Sequence, residues 1–263
     1  MWYKQTVSLA DQYRAQYAWR NWTQAYEKLP IKSSHFVLDL GCSIGDQTAD
    51  LARRCDKVLG IDSNPEFIST AQERRIPNSR FIQADLADWE DPSLAADGLW
   101  SSFTAAYFPN FEPVLRRWLS SVRGGGWIAL TEIDDLLGHR PLGHLTQEKI
   151  SHFYKDPLVS GRYDFLMGRK LRKYAETCGL EVISESCISD HELAFTGPCD
   201  PSVKKAWSER FDRMGGFKNF LKGAYEPIRS ELLDCLSAPD HESTARVILL
   251  VARKPGVAGS ASV

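Results

Sequence analysis

The chain has 263 residues, 43% of them hydrophobic and 25% charged, a composition that supports a substantial core and excludes disorder. Lys+Arg 32 against Asp+Glu 34 leaves a net charge of −2, which excludes a strong, sequence-blind electrostatic grip on nucleic acid. The longest aliphatic run, Val247 to Ala252, is far too short to cross a bilayer, and the start MWYKQTVSLADQYR lacks the basic-then-apolar pattern of a secretory signal. Six cysteines without a C-x-x-C pair read as free thiols in a cytoplasmic protein, with no disulfide framework and no metal site.

Residues 1–34 concentrate aromatic side chains: Trp2, Trp19, Trp22, Tyr3, Tyr13, Tyr17 and Tyr26. Val7, Ala10, Tyr13, Tyr17 and Arg20 recur at three- and four-residue steps, which predicts an amphipathic helix, read as a lid with an aromatic inner face. His35–Leu40 is a short apolar run ending in Gly41, a strand signal, followed by a helix over Gly45–Arg54. Lys57–Ile61 is a second strand, and Pro65–Arg74 a helix with proline in its first turn, where the missing N–H costs nothing. Arg80–Ala84 and Leu99–Phe103 read as strands three and four, Phe111–Val122 as a helix broken by Gly124–Gly126, and Trp127–Ile133 as strand five.

Beyond Asp135 the alternation loosens. Residues 136–160 carry Gly138, Pro141, Gly143 and Pro157 and read as an irregular excursion. Arg169–Cys178 is a helix stopped by Gly179, Glu181–Ser189 a sixth strand, 198–240 a second excursion with two helical stretches, and Ala245–Ala252 a final strand. Strands alternating with helices predict an α/β fold: a doubly wound, mostly parallel, seven-stranded sheet of Rossmann-like type with helical cap additions. The expected organisation is an N-terminal lid at 1–34, a core at 35–197 and 241–255, cap insertions at 136–160 and 198–240, and a flexible tail at 256–263. Ligands of open parallel sheets bind beyond the carboxyl ends of the strands, where both insertions leave the core.

The first turn reads VLDLGCSIGDQT over 37–48. Gly41 and Gly45 let the backbone turn sharply and approach a ligand, and the next helix offers free N–H groups. Asp62 ends the second strand 23 residues after Asp39 and suits a ribose; Asp85 follows the third. A nicotinamide cofactor fits poorly, because its glycine fingerprint is met by Gly41, Ser43 and Asp46. A carboxylate about 4 Å from a pyrophosphate, at an effective dielectric near 20, costs about 4 kcal/mol. A phosphate-free nucleoside carrying positive groups, such as S-adenosylmethionine, removes the conflict.

These motifs resemble those of the class I S-adenosylmethionine-dependent methyltransferases, particularly the small-molecule type. VLDLGCSIGDQT resembles their first motif, GIDSNPEFI the acidic second-strand motif, FIQADLADW the third, and LRRWLSSVRGGGWIALTEID the helix, glycine turn and fifth strand. The likeness is strong over 35–134 and weaker beyond, through RKLRKYAETCGLEVI and the last strand; Ser43 departs from the family's usual glycine. The resemblance implies that Asp39 and the backbone of Gly41 and Gly45 hold the methionine end. It further implies Asp62 on the ribose, Ser63 along the adenosine, Asp85 and Leu86 at the adenine, and Ser101 beneath the methionine portion. Arg20 is a candidate for the cofactor carboxylate, with Tyr13 another.

A general base is needed only where the acceptor must lose a proton early. Candidates near the fourth and fifth strand ends are Tyr107, Glu132, Asp134, Asp135, His139 and His144, of which His139, Glu132 and His144 are foremost; His191 is weaker, and His35 reads as structural. Histidine titrates nearest neutrality. The many aromatics of the additions mostly build the cap's own core, and some line an apolar pocket for an aromatic or amphipathic small molecule. SSFTAAYF lacks the Asn/Asp-Pro-Pro-Tyr/Phe acceptor motif, which counts against base and glutamine amines. The expected function is methyl transfer to oxygen, nitrogen or carbon of a small metabolite of secondary or specialised metabolism, without nucleic-acid or membrane partners and with a homodimer left open. The alternatives are an RNA or protein methyltransferase, a non-catalytic cofactor-binding partner subunit, and a nicotinamide-dependent dehydrogenase.

Overall fold

A computed structural model describes residues 14–159 and 162–256. Most of the predicted N-terminal helix and the tail from 257 onward lie outside the described residues, including Trp2, Tyr3, Val7, Ala10 and Tyr13. The strands are β1 (Phe36–Leu40), β2 (Lys57–Asp62), β3 (Ser79–Gln83), β4 (Ala96–Ser102), β5 (Val122–Asp134), β6 (His139–Arg140), β7 (Glu181–Ile188), β8 (Glu242–Ser243) and β9 (Arg246–Arg253). The helices are α1 (Trp22–Tyr26), α2 (Asp46–Ala52), α3 (Pro65–Glu73), α4 (Phe111–Ser120), α5 (His144–Val159), α6 (Leu171–Thr177), α7 (Pro201–Arg213), α8 (Gly215–Leu221) and α9 (Tyr225–Cys235).

Seven strands form one sheet in the order β3-β2-β1-β4-β5-β9-β7. The first five are parallel; β9 runs antiparallel between β5 and β7. The order reverses between β1 and β4, so their carboxyl ends open the crevice in which such sheets bind ligands. Because β7 is antiparallel to β9 and β9 to β5, β7 ends and β9 begins at that same end. The chain between them is therefore delivered over the crevice.

Strand alternation distributes two cores. Leu38, Leu40, Leu99, Ile128 and Leu130 pack with Phe111, Leu115 and Trp118 of α4 and Leu171 of α6. Val37, Trp100 and Ala129 face the other way, against Leu51 of α2, Trp22 and Tyr26 of α1, and the cap. Tyr26 and Trp22 meet Trp100 with ring centroids 5.4 and 6.0 Å away. The N-terminal segment is anchored at the end of β7, where Asn21 N–H donates to Ser189 O (3.0 Å) and His191 N–H to Trp19 O (2.9 Å).

The stretch expected to be irregular at 136–160 contains a 16-residue helix, α5. Thr146, Ile150, Phe153 and Tyr154 turn inward at helical spacing, and the glycines and the proline of 138–143 precede the helix rather than interrupt it. Phe153 packs against Phe217 of α8 and Phe165, at 4.8 and 5.2 Å. The β6–β8 pair ties the two insertions together through His139↔Ser243 and Arg140↔Glu242. All six cysteines are free, and no helix among the described residues is long and apolar enough to cross a membrane.

Candidate functional site

A cavity of about 520 Å³ opens at the switch point between β1 and β4. That size suits a small ligand. Its floor is the turn after β1. Gly41 takes a φ of +80°, and a Cβ there would stand 2.0 Å from Thr104 Oγ1 in the loop after β4. Only glycine allows the two loops to approach so closely. Ser43, where the resembled family favours glycine, adopts φ +48°. Its backbone N–H donates to Asp62 Oδ2 (2.9 Å), which offsets part of the left-handed strain.

Asp62 is held open at the end of β2, its Oδ1 accepting from Asn64 N–H at 2.9 Å. Asn64 in turn caps α3, accepting from Glu66 and Phe67 N–H, with Pro65 behind it. Asp85 is exposed and accepts from Ala87 N–H (2.9 Å); Leu86 beside it is buried, with its carbonyl fixed by Trp118 Nε1 (2.8 Å). Asp46 begins α2 and lines the cavity, paired with Arg74 at 2.7 Å. A carboxylate thus occupies the helix start where a pyrophosphate would have to sit, which counts against the nicotinamide alternative.

The opposite side comes from the N-terminal segment and the cap. Gln16, Tyr17, Arg20 and Trp22 line it together with Leu193, Arg210, Tyr163, Ile133 and Leu136. Arg20 is held by charge on the cap side: it donates to Gln16 O (2.9 Å) and Glu192 Oε2 (3.0 Å), forms an ion pair with Asp190 Oδ2 (3.1 Å), and lies over Phe103. Arg210 meets the other oxygen of Glu192. Burial raises the Asp190 carboxyl, and the Arg20 charge opposes that rise.

Gly41, Asp62, Ser63, Asp85, Leu86 and Arg20, expected at the cofactor, all line this cavity. Asp39, Gly45 and Ser101 do not. Asp39 shares its face of the sheet with Val37 and lies beneath the loop, where Thr48 Oγ1 of α2 donates to its Oδ2 (2.5 Å) and its Oδ1 has no partner among the described residues. Burial pushes that carboxyl up to about 7. Gly45 shapes the turn, with φ +83°, and starts α2. Ser101 points to the far face, donating to Leu40 O (2.8 Å); its neighbour Ser102 reaches the cavity and donates to Gln47 Oε1 (2.6 Å).

Of the residues expected as bases, Tyr107 lines the cavity, whereas Asp134, Asp135 and the three foremost candidates do not. His139 is buried between Trp207, Phe195 and His241, its Nδ1 3.0 Å from His241 Nε2. Burial, with the neighbouring His241 and Arg210, lowers it to about 3. His144 is exposed at the start of α5. Glu132 is buried beneath residues 105–107; its Oε1 accepts from Ala106 N–H (3.1 Å), and burial raises it to about 8. Among the described residues, no histidine lines the cavity. Missed from sequence were Gln16, Gln47, Asn64, Phe67, Ser102, Thr104, Leu193 and Arg210; only the capping pattern Asn64-Pro65 carried a local signal.

A methyltransferase-domain family matches residues 37–126. The trans-aconitate 2-methyltransferase of Methylobacterium radiotolerans is 30% identical over 253 residues, 86% of this chain and 90% of that protein. That of Rhizobium etli is 29% identical over 127 residues, 48% of each chain, so this match spans about half of the relative. That of Deinococcus radiodurans is 36% identical over 104 residues, 39% of each. Among solved structures, the cyclopropane synthase MmaA2 of Mycobacterium tuberculosis shares the fold with a TM-score of 0.60 at 14% identity, over 96% of this chain and 87% of that one. The chain belongs to the class I S-adenosylmethionine-dependent methyltransferases, whose methyl donor is S-adenosylmethionine.

Proposed function

We propose that this chain is an enzyme that transfers the methyl group of S-adenosylmethionine to an oxygen of a small organic acid. The observation that carries the reading is the division of one cavity: carboxylates at the ends of β2 and β3 on the sheet side, two arginines and apolar rings on the cap side. The sheet side fits the cofactor. The glycine cradle at Gly41 excludes a Cβ, and Asp39 Oδ1 is buried beneath it without a partner among the described residues. Asp62 takes the ribose hydroxyls, Ser63 lines the adenosine, and Asp85 with the Leu86 backbone takes the adenine edge. Asp39 and the turn through Gly45 act from below, by charge and by shape, on the ammonium end. Arg20 bounds the carboxylate end.

The bound cofactor supplies an electrophilic methyl on a sulfonium. The chain's own residues hold an acceptor in line with it and exclude water. An acid acceptor is already ionised near neutrality and needs no base, in keeping with a cavity that lacks histidine. The activity for which the relatives are named, on trans-aconitate, supports the same class. Against a nucleic-acid substrate, Arg116, Arg117 and Arg123 are engaged by Glu112, Asp88 and Asp97, so they form no free basic stripe.

The test is calorimetry with S-adenosylhomocysteine and with NAD, followed by methyl transfer to trans-aconitate and other small acids. Binding of the first ligand only, with ester formation, is expected. Preference for NAD refutes the cofactor assignment, and methylation of amines or phenols but not acids refutes the acceptor class.

A further inference from the structure

Arg210 stands in the last turn of α7 with hydrogen-bonding capacity at its Nε that none of the described residues uses. Its guanidinium lies over the Trp207 ring (4.9 Å), and Trp207 is itself pinned by Nε1 donating to Glu192 O (2.9 Å). One terminal nitrogen meets Glu192 Oε1, and Nε is buried without an acceptor among the described residues. An unsatisfied donor of a charged group in a cavity wall calls for an explanation. Arg20 is more fully engaged: Gln16 O and Glu192 Oε2 accept from its two terminal nitrogens, and Asp190 Oδ2 lies 3.1 Å from its Nε, although that Nε too makes no hydrogen bond among the described residues.

Glu192 joins the two. Fully buried, it gives one oxygen to Arg20 and the other to Arg210, so a single carboxylate fixes both forks across the cavity. The planar guanidinium of Arg210 is thereby held by Trp207 beneath it and by Glu192 beside it. A preorganised fork of this kind suits a carboxylate. Arg20 and Arg210 are the cations among the residues lining the cavity, while Asp46, Asp62 and Asp85 all belong to the sheet side. An anionic group entering the cavity is therefore driven toward the cap.

We infer that Arg210 binds a carboxylate of the acceptor that is not the one methylated, so that the acceptor carries at least two carboxylates. This rests on the organic-acid reading above. The reacting oxygen must keep its lone pair available to the methyl carbon; pairing it with a guanidinium would blunt it as a nucleophile. A second carboxylate, clamped by Arg210, orients the acceptor without that cost. The cofactor's own carboxylate is the other source of the same chemistry, and the experiment separates the two.

The probes are S-adenosylhomocysteine, trans-aconitate, and crotonate as a monoacid of the same unsaturated kind, used on the whole chain and on Arg210→Gln and Arg210→Lys. Losing hydrogen bonds to a charged group is expected to raise the KM for trans-aconitate about 10- to 100-fold in Arg210→Gln, with Arg210→Lys between. S-adenosylhomocysteine affinity and the already poor crotonate kinetics stay unchanged, so the preference for the polyacid collapses. Retained S-adenosylhomocysteine binding also shows that the variant is folded; if Arg210→Gln does not fold, Arg210→Lys carries the comparison. Weakened S-adenosylhomocysteine binding with unchanged acceptor KM would assign Arg210 to the cofactor and overturn the inference, as would a wild type that does not prefer the polyacid. If the wild type binds S-adenosylhomocysteine but methylates no acid, the organic-acid reading fails first, and this inference with it.

Discussion

Replacing Glu132 by glutamine should make the protein more stable at alkaline pH and leave it unchanged in acid. The carboxyl is 1% exposed, accepts a hydrogen bond from Ala106 N–H through Oε1, and leaves Oε2 unpartnered. Burial raises it from 4.5 to about 8, against the lowering effect of the amides of Ala106, Ala105 and Ile133. Between those two values the folded protein holds a proton that the unfolded chain has released. Stability therefore falls as pH rises from about 4.5 and levels off above about 8. At about 1.4 kcal/mol per pH unit, the whole loss is about 5 kcal/mol, of which about 3 kcal/mol has accrued by pH 7.

Glutamine keeps an oxygen for Ala106 N–H and cannot ionise. Its second group, like the protonated Oε2 it replaces, has no acceptor among the described residues, so the two proteins start nearly equal at pH 4.5. Urea unfolding at pH 5, 7 and 8.5 measures the divergence directly. The expected result is a gap that widens with pH in favour of Glu132→Gln, with S-adenosylhomocysteine affinity unaltered, because Glu132 supports the 105–107 loop from below without lining the cavity. Parallel pH curves for the two proteins would show that the buried carboxyl is not the titrating group.

Three further substitutions probe other parts of the structure. His139→Phe removes a group lowered to about 3 from 6.5, whose contribution to stability is present above about 6.5 and is lost as pH falls toward about 3; the variant should be less acid-labile, and a marked loss of turnover would return His139 to the mechanism. Gly41→Ala forces a Cβ to 2.0 Å from Thr104 Oγ1 at φ +80°; a strain of about 1–2 kcal/mol from the backbone alone, with the clash added, should weaken S-adenosylhomocysteine binding at least tenfold by calorimetry. Asp62→Ala should weaken it by about 1–3 kcal/mol through lost hydrogen bonds; undiminished affinity would remove Asp62 from the ribose site.

The cofactor side of the cavity was legible because its features are local. A glycine turn after a strand, an acid ending the next strand and another following the third each depend on a handful of neighbouring residues. What was not legible on that side was facing. Asp39 and Ser101 have the right residue types near the right strand ends, yet alternation sends Asp39 beneath the loop with Val37 and sends Ser101 beside Leu40, its register partner, on the α4 face. Period-two alternation was readable in principle, but which residue of β4 is the last before the chain leaves the sheet depends on Phe103, which takes φ +52° there and hands Ser102 to the cavity.

The acceptor side was not legible, for a different reason. His139 was singled out because it follows the end of the fifth strand and histidine titrates nearest neutrality, but its environment is set by His241, 102 residues away, across the β6–β8 pair. Arg20 reads as a cation on a helix face; what it does is decided by Glu192, 172 residues on, which also holds Arg210. Such pairings leave no periodicity. They are still constrained by solvation: Glu192 is fully buried, and a carboxylate so placed is tolerable only with charged partners. The two arginines are thus required by the acid before any ligand arrives, and the cavity gains a preformed cationic wall as a consequence. On the organic-acid reading proposed above, the specificity of the acceptor side follows from satisfying one buried charge, which ties the N-terminal segment to α7 and makes both answer to the same side chain.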